Sequence, residues 1–158
     1  MKITYAPRGI LQIDDARITF RNFRGEGSRY NREGDRNFSL IIESPEDADR
    51  LVNLGWNVKI KDAREEGGDP FMHMKVNVKF NDRGPTVYLK SGSGRPVELD
   101  EDSIGILDNV DILSVDMDIR PYDWERPDGA TGRTAYLQSI HVTQEVDRFA
   151  ARYSDDEN

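Results

Sequence analysis

The stretch Ala16–Glu43 reads A-R-I-T-F-R-N-F-R, then G-E-G-S-R-Y-N-R-E-G-D, then R-N-F-S-L-I-I-E. Its first and last segments alternate apolar and polar residues, which predicts two β-strands. The middle segment, residues 25–35, is rich in glycine and too polar to pack, and we call it the finger. The whole stretch therefore predicts a β-hairpin with a long, mobile finger.

Arginine is concentrated in this hairpin. Residues 17–36 contain six arginines and three acidic residues, a net charge of +3, although the whole chain has a net charge of −8. If Ile18 and Phe20 are buried, the opposite face of the first strand shows Arg17, Arg21 and Phe23. A cationic face with aromatic rings suits the phosphates and bases of a single strand. In and around the finger, the predicted nucleic-acid contacts are Arg24, Arg29, Tyr30, Arg32 and Arg36.

One helix is predicted after the hairpin. Ser44 is a suitable N-cap, Pro45 suits the first helical position, and Gly55 suits the end, so the helix should span residues 45–54. Alternation resumes at Trp56, where Trp56, Val58 and Ile60 share the predicted core side of a strand.

Further strands follow at Phe71–Phe80, Val87–Lys90, residues 110–122 and residues 134–146. Because Asn81–Pro85 is a turn signal, the first two of these should pair as a hairpin. A helical turn is expected at Ser103–Leu107, and a β-bulge is expected in the last strand after Leu137.

These strands also carry polar and aromatic residues out of phase with the core. Such residues would lie outward, where rings stack on bases and cations contact phosphates. The predicted contacts outside the hairpin are Lys59, Lys61, Lys75, Lys79, Tyr88, Lys90, Arg120, Tyr122 and Trp124.

Seven or so alternating strands with one short helix and no βαβ rhythm predict a mainly-β fold. The layout fits a small antiparallel OB-like barrel with an extended hairpin finger, while a sandwich stays open because periodicity does not reveal strand order. We expect one domain over residues 1–146 and a flexible acidic tail over residues 147–158.

The composition excludes several kinds of site. The chain has no cysteine and two histidines, so disulfides, thiolate chemistry and a His-rich metal site are excluded, and no cofactor is expected. The absence of a long apolar run or a signal-peptide pattern predicts a soluble cytoplasmic protein without membrane partners.

Three motifs resemble those of a known family. They are Y-N-R-E-G-D-R-N-F-S-L-I-I at Tyr30–Ile42, V-D-M-D-I-R-P-Y-D-W-E at Val115–Glu125 and G-x-x-A-Y-L at Gly132–Leu137. Together they resemble the OB-fold single-stranded-DNA-binding proteins of tailed bacteriophages. The resemblance implies a non-catalytic protein that coats DNA during replication or recombination in the host cytoplasm. It also implies an acidic tail, here Asp155, Asp156 and Glu157, that recruits replication or recombination proteins.

Two other functions are weighed against this one. The aspartates at 108, 111, 116, 118 and 123 could hold Mg²⁺ in a nuclease, but Arg120 follows on the same strand face and no histidine is placed to help. The stronger alternative is a protein-interaction module, either a phage assembly factor or an acidic DNA mimic. Its surface would be residues 100–128, which contain ten acids against Arg120 and Arg126. The sequence leaves a homo-oligomer open.

Overall fold

A computed structural model describes residues 1–145. Within this range the chain forms ten strands and one α-helix. A short 3-10 helix, Ile104–Asp108, lies where the helical turn was predicted. The strands and helix in chain order are β1 (Lys2–Tyr5), β2 (Leu11–Asp14), β3 (Ile18–Asn22), β4 (Arg36–Ile42), α1 (Pro45–Asn53), β5 (Val58–Lys61), β6 (Phe71–Val78), β7 (Thr86–Ser91), β8 (Val97–Leu99), β9 (Ile112–Glu125) and β10 (Thr131–Gln144).

All ten strands belong to one sheet, in which β10 is the central strand. The main path runs β1-β2-β9-β10-β6-β4-β3, with β5 paired to β6, and with β7 paired to β10 and β8. Strand β10 is antiparallel to β9 but parallel to both β6 and β7. The mainly-β prediction is confirmed, whereas the prediction of a purely antiparallel sheet is wrong.

The predicted hairpin between Phe71–Phe80 and Val87–Lys90 is also wrong. Strands β6 and β7 follow each other along the same edge of β10, at residues 135–136 and 139–144 respectively. The turn closes only one bridge, between Asn81 and Gly84, and the chain then continues along β10 instead of folding back. The predicted bulge in the last strand is confirmed by a register shift between Leu137 and Ser139.

The hairpin from Ala16 to Glu43 is present, since β3 and β4 pair antiparallel. At its start, the amide of Ala16 donates a hydrogen bond to the carbonyl oxygen of Val115 at 2.7 Å. This bond connects the free end of the sheet path, at β3, to β9.

Helix α1 forms as its caps predict. The amide of Asp47 donates to Oγ of Ser44 at 3.0 Å, and Gly55 adopts a φ of 96° just after the helix. Ala48 and Leu51 are buried, so one face of the helix packs on the core.

The core consists mainly of the predicted alternating residues. Trp56 is buried, as predicted, whereas Ile60 was predicted to be buried and is 56% exposed. Leu113 is also exposed, at 63%, although it alternates in phase with the buried Val115 and Met117. Ile60 lies on β5, a four-residue edge strand that pairs only with β6. Leu113 lies near the register shift at the start of β9, where Ile112 packs on the core instead.

A bulge in β3 reverses two predicted orientations. Between the pairs Thr19–Ser39 and Asn22–Asn37 the chain advances three residues on β3 and two on β4. Phe20, in this extra-residue segment, has a φ of 49° and is 62% exposed, whereas it was predicted to be buried. A bulky residue in this left-handed region costs about 1–3 kcal/mol.

Phe23 is buried as a consequence of the same bulge. Its ring is 0% exposed and stacks on Phe38 with centroids 5.0 Å apart. The prediction that Phe23 stacks on bases is therefore wrong.

Candidate nucleic-acid interface

The side of the sheet opposite the core is defined by the outward residues of β6. Four of its residues are buried in alternation with four that are not. The outward residues are Phe71, His73, Lys75 and Asn77.

Strand register extends this surface across the sheet. Asn77 lies between Asn37 of β4 and Tyr136 of β10, and Tyr136 is paired with Arg120 of β9. We call this surface, from β4 across β6 and β10 to β9, the outer face. One row of the outer face, formed by the four residues just named, therefore places two amides, a ring and a guanidinium side by side.

Rings and a cation cluster on the β9–β10 part of the outer face. The rings of Tyr122 and Tyr136 are perpendicular, with centroids 6.2 Å apart, and the guanidinium of Arg120 lies 5.1 Å from the Tyr136 centroid. Tyr122 is 55% exposed, so its ring is accessible for stacking. Arg120 and Tyr122 thus lie together, as the outward row of β9 predicted.

Trp124 lies at the far end of the same row on β9. It is paired with Gly132, and a Cβ at that position would overlap the indole, so glycine allows the ring to lie close to the backbone. Arg126 is 5.6 Å from the indole centroid. Next to Trp124, Arg133 donates two hydrogen bonds to Asp123, at 2.7 and 3.1 Å. These hydrogen bonds lower the pKa of the Asp123 carboxyl group.

A cleft lies where the pairing partner of β6 changes from β5 to β10. Its volume is about 490 Å³, large enough for a nucleotide-sized group. Its lining combines rings, amides and two cations, among them Trp56, Asn57, Lys75, Trp124 and Arg133.

The finger is a braced loop. Nδ2 of Asn31 donates to the carbonyl oxygens of Glu26 and Asp35, both at 3.0 Å. Oδ1 of Asn22 accepts from the amide of Glu26 at 2.8 Å, and Nδ2 of Asn37 donates to Oδ1 of Asn31 at 3.0 Å. Three asparagines therefore hold together a segment that was predicted to be mobile.

The root of the finger is anchored to the segment before β9. The carboxylate of Asp108 accepts from the amides of Phe23 and Arg24, at 2.7 and 3.0 Å. The guanidinium of Arg36 donates to the carbonyl oxygens of Arg24 and Glu101, at 3.2 and 3.1 Å. Arg36, predicted as a phosphate contact, thus binds backbone carbonyls.

Other basic side chains in and next to the finger point to solvent. Arg24, Arg29 and Arg32 are exposed, and Tyr30 is 91% exposed. A groove joins the base of the finger to the outer face, and it is lined by residues 34–36, Asn77, Lys79 and Tyr136. The groove therefore brings the base of the finger next to Tyr136 of the ring cluster.

Arg21 has a structural position. Its Nη1 donates to the carbonyl oxygens of Leu107 and Val110, at 2.9 and 2.8 Å. The predicted role of Arg21 at the interface is wrong, because the bulge in β3 directs its side chain to the 3-10 helix.

Lys59 and Lys61 lie near His73 on the outer face. Burial lowers the pKa of His73, and the two ammonium groups lower it further. Their charges act on the imidazole because β5 pairs Lys59 directly with His73. The register places Lys59, Lys61 and Lys75 on the outer face, as their outward positions predicted, and their contact with nucleic acid stays a prediction.

Tyr88 and Lys90 lie elsewhere on the sheet. The ring of Tyr88 is 4.8 Å from that of His141, and His141 is paired with Asp116. Strand β7 pairs with β10 at residues 139–144, whereas the groove to the finger meets β10 at Tyr136, so the structure does not bring Tyr88 and Lys90 together with the finger.

Arg17 is also separated from the finger. Its Nε is 3.9 Å from Oε1 of Glu43, and the amino group of Met1 is 3.7 Å from Oε2 of the same carboxylate. Arg17 therefore lies at the opposite end of the hairpin.

Sequence alternation missed Phe20 on the outer face, because nothing in the sequence marks the bulge. No role at the interface was predicted for His73, which lies among the outward residues of β6. Asp155, Asp156 and Glu157 lie outside the described residues.

Three of the five aspartates weighed as metal ligands have other partners. Asp116 accepts from the amide of Asp15 at 2.8 Å, Asp123 is paired with Arg133, and Asp108 anchors the finger. Within residues 1–145, no group of three or more acidic or histidine side chains could hold a metal ion. In the same range, no helix has the length and apolarity needed to span a membrane.

A β-sheet face that carries rings and cations beside a basic loop defines a class, the proteins that bind single-stranded nucleic acid without a recognition helix. The chain belongs to the family described as "Putative phage ssDNA-binding domain", whose model matches residues 1–157. No curated protein matches the chain.

Solved structures show the same fold at low identity. The single-stranded DNA-binding protein from bacteriophage Enc34 in complex with ssDNA is 14% identical, with a TM-score of 0.56 and 93% of each chain covered. Another structure of the Enc34 protein is 12% identical, with a TM-score of 0.54 and 100% of each chain covered. Its C-terminal truncation is 14% identical, with a TM-score of 0.53, covering 93% of this chain and 97% of that one.

Proposed function

We propose that the protein binds single-stranded DNA across the outer face with little base preference. The observation that carries this proposal is the cluster of Tyr122, Tyr136 and Arg120, which lies beside the groove that leads past Lys79 to the base of the finger. Rings accept any base by stacking, and cations neutralise phosphates without reading sequence. Membership of the phage family and the fold shared with the Enc34 protein support the same function.

The sheet supports an OB-like barrel as the architecture. The path β3-β4-β6-β10-β9 has the order and the parallel β6–β10 pairing of a five-stranded OB barrel, and the bond from Ala16 to Val115 joins its two ends. In OB folds, oligonucleotides bind across the second and third strands, between the loops that join strands one to two and four to five. These loops are here the finger and residues 126–130, which follow Trp124.

The wider role follows from this binding mode. The protein coats and protects single-stranded DNA during phage replication or recombination in the host cytoplasm, and it catalyses no reaction. Residues 1–146 form the DNA-binding domain, and residues 147–158 form an acidic tail that recruits replication or recombination proteins through Asp155, Asp156 and Glu157.

Fluorescence anisotropy with labelled oligo-dT, at several salt concentrations, tests the proposal. Single strands should bind far better than a duplex of equal length, and affinity should fall as salt rises. Comparable affinity for the two forms would refute it. An acidic DNA mimic, the alternative, would show no affinity for either.

Two tyrosine variants locate the site. Tyr136→Ala should weaken binding by about 5- to 100-fold, the effect of one lost stacking contact. Tyr88→Ala is the matched control, because Tyr88 lies beside His141 at the acidic part of the sheet. Equal losses in both variants would place the DNA elsewhere.

A further inference from the structure

Two features of position 20 disfavour phenylalanine there, unless the ring has a function. Its φ of 49° is a conformation that glycine or asparagine adopts far more readily than phenylalanine. Its side chain is also 62% exposed, so the ring adds little to the core. A strained residue at a bulge is a reason to look for a binding role, because bulges redirect side chains next to functional sites.

The surrounding rings hold Phe20 upright on the outer face. Its ring is close to perpendicular to Phe71 and His73, with centroids 6.2 and 5.7 Å away. Phe71 and His73 stack on each other at 5.0 Å. Perpendicular contacts of this kind fix the orientation of a ring while leaving much of its surface free.

Cations lie next to this aromatic group. Lys59 is paired with His73 and Lys61 with Phe71, and both ammonium groups act electrostatically on the imidazole. A ring with neighbouring lysines provides what one nucleotide needs, a stacking surface and a counter-charge for its phosphate.

The bulge alone does not explain why position 20 is a phenylalanine. One extra residue in β3 is enough to direct Arg21 to the 3-10 helix and Phe23 into the core. A glycine or asparagine at position 20 would serve that purpose with less strain.

We propose that Phe20, braced by Phe71 and His73 and flanked by Lys59 and Lys61, is a second base-stacking platform. The inference rests on the proposed function and extends the DNA path from the finger side of the outer face to β5. Along β6, the six residue-to-residue steps from Asn77 to Phe71 span about 20 Å, so the two platforms are separate contacts on one strand of DNA.

The test compares Phe20→Ala with Val97→Ala in the full chain. Val97 is the matched control, because it is 60% exposed on β8, which pairs with β7 and not with the strands that carry Phe20, Phe71 and His73. Phe20→Ala should weaken binding to oligo-dT by about 5- to 100-fold with an unchanged or raised melting temperature. Val97→Ala should leave the affinity unchanged, and Phe20→Tyr should retain most of it.

An oligonucleotide of abasic sites separates stacking from a structural effect. It keeps the phosphates but has no bases, so wild type and Phe20→Ala should bind it equally. If Phe20→Ala binds oligo-dT as tightly as wild type does, the platform is refuted while the proposed function stands. If it loses affinity equally for both oligonucleotides, the role of Phe20 is structural. If wild type itself fails to bind oligo-dT, the proposed function fails.

Discussion

Replacing Arg21 by alanine should destabilise the protein, although Arg21 belongs to the basic hairpin. Its Nη1 donates to two carbonyl oxygens, of Leu107 and Val110. Hydrogen bonds from a charged donor contribute about 1.5–3 kcal/mol each, and the side chain is only partly buried, so we expect a loss of about 3–4 kcal/mol. For a chain of this size, that lowers the melting temperature by about 6–16 °C.

The double variant Arg29→Ala/Arg32→Ala is the matched counterpart on the same hairpin. Both side chains are exposed, so the free energy of unfolding should change by less than about 0.5 kcal/mol per site. If each arginine neutralises one phosphate, the slope of log affinity against log salt should become shallower by about 1.4. The affinity ratio of wild type to variant should then be about sevenfold larger at 0.05 M than at 0.2 M salt.

Urea unfolding measures the first effect, and oligo-dT anisotropy at four salt concentrations measures the second. The salt slope of Arg21→Ala, measured well below its melting temperature, should equal that of wild type. An unchanged melting temperature for Arg21→Ala would refute its structural role. An unchanged salt slope for the double variant would refute phosphate contact by the finger.

Three further predictions follow from the same structure. Phe23→Ala should lower the free energy of unfolding by about 3–5 kcal/mol in urea titrations, because it empties a buried site against Phe38; a cost below 1 kcal/mol would contradict this. Because burial and nearby lysines lower the pKa of His73, the unfolded chain binds its proton more readily, so the melting temperature should fall as pH drops from about 7 to 5. That part of the pH dependence should disappear in His73→Gln, and its persistence would assign it to other groups. Deleting residues 154–158 should raise the affinity for oligo-dT at low salt, since an acidic tail competes for the basic surface, and the difference should vanish at high salt; equal affinities at every salt concentration would rule out competition.

Local signals in the sequence predicted local structure well. The cap at Ser44, the glycine after the helix and the alternation of β6 each depend on residues close in the chain. The same is true of the bulge after Leu137, which the change of phase revealed. Backbone geometry and burial act on the same few residues in these cases, so the pattern is visible in the sequence.

Strand pairing was less predictable. The turn at Asn81–Gly84 has the composition of a hairpin turn, yet β6 and β7 both pair with β10. The composition predicts that the chain bends at this turn. The strand edge with which β7 then pairs belongs to β10, which lies more than 40 residues further along the chain.

The candidate site was predictable in type and only partly in its members. Alternation found the outward residues of β6 and β9, including Tyr122 and Arg120, because these strands are regular there. It failed at Phe20 and Phe23, because one extra residue in β3 reverses which side each ring occupies.

The central position of β10 has a consequence for how the chain acquires its structure. Hydrogen bonds from residues 131–144 hold β9, β6 and β7, so most of the sheet is joined by the last strand of the described chain. Forming contacts between residues far apart in sequence costs a large loop-closure entropy, and folding is therefore slow. On the ribosome, the hairpin from Ala16 to Glu43 can form early, but β6 and β7 have no common partner until residue 144 has emerged. The nascent protein therefore completes its sheet only after residue 144 has emerged, and its exposed strand edges until then are potential sites of aggregation.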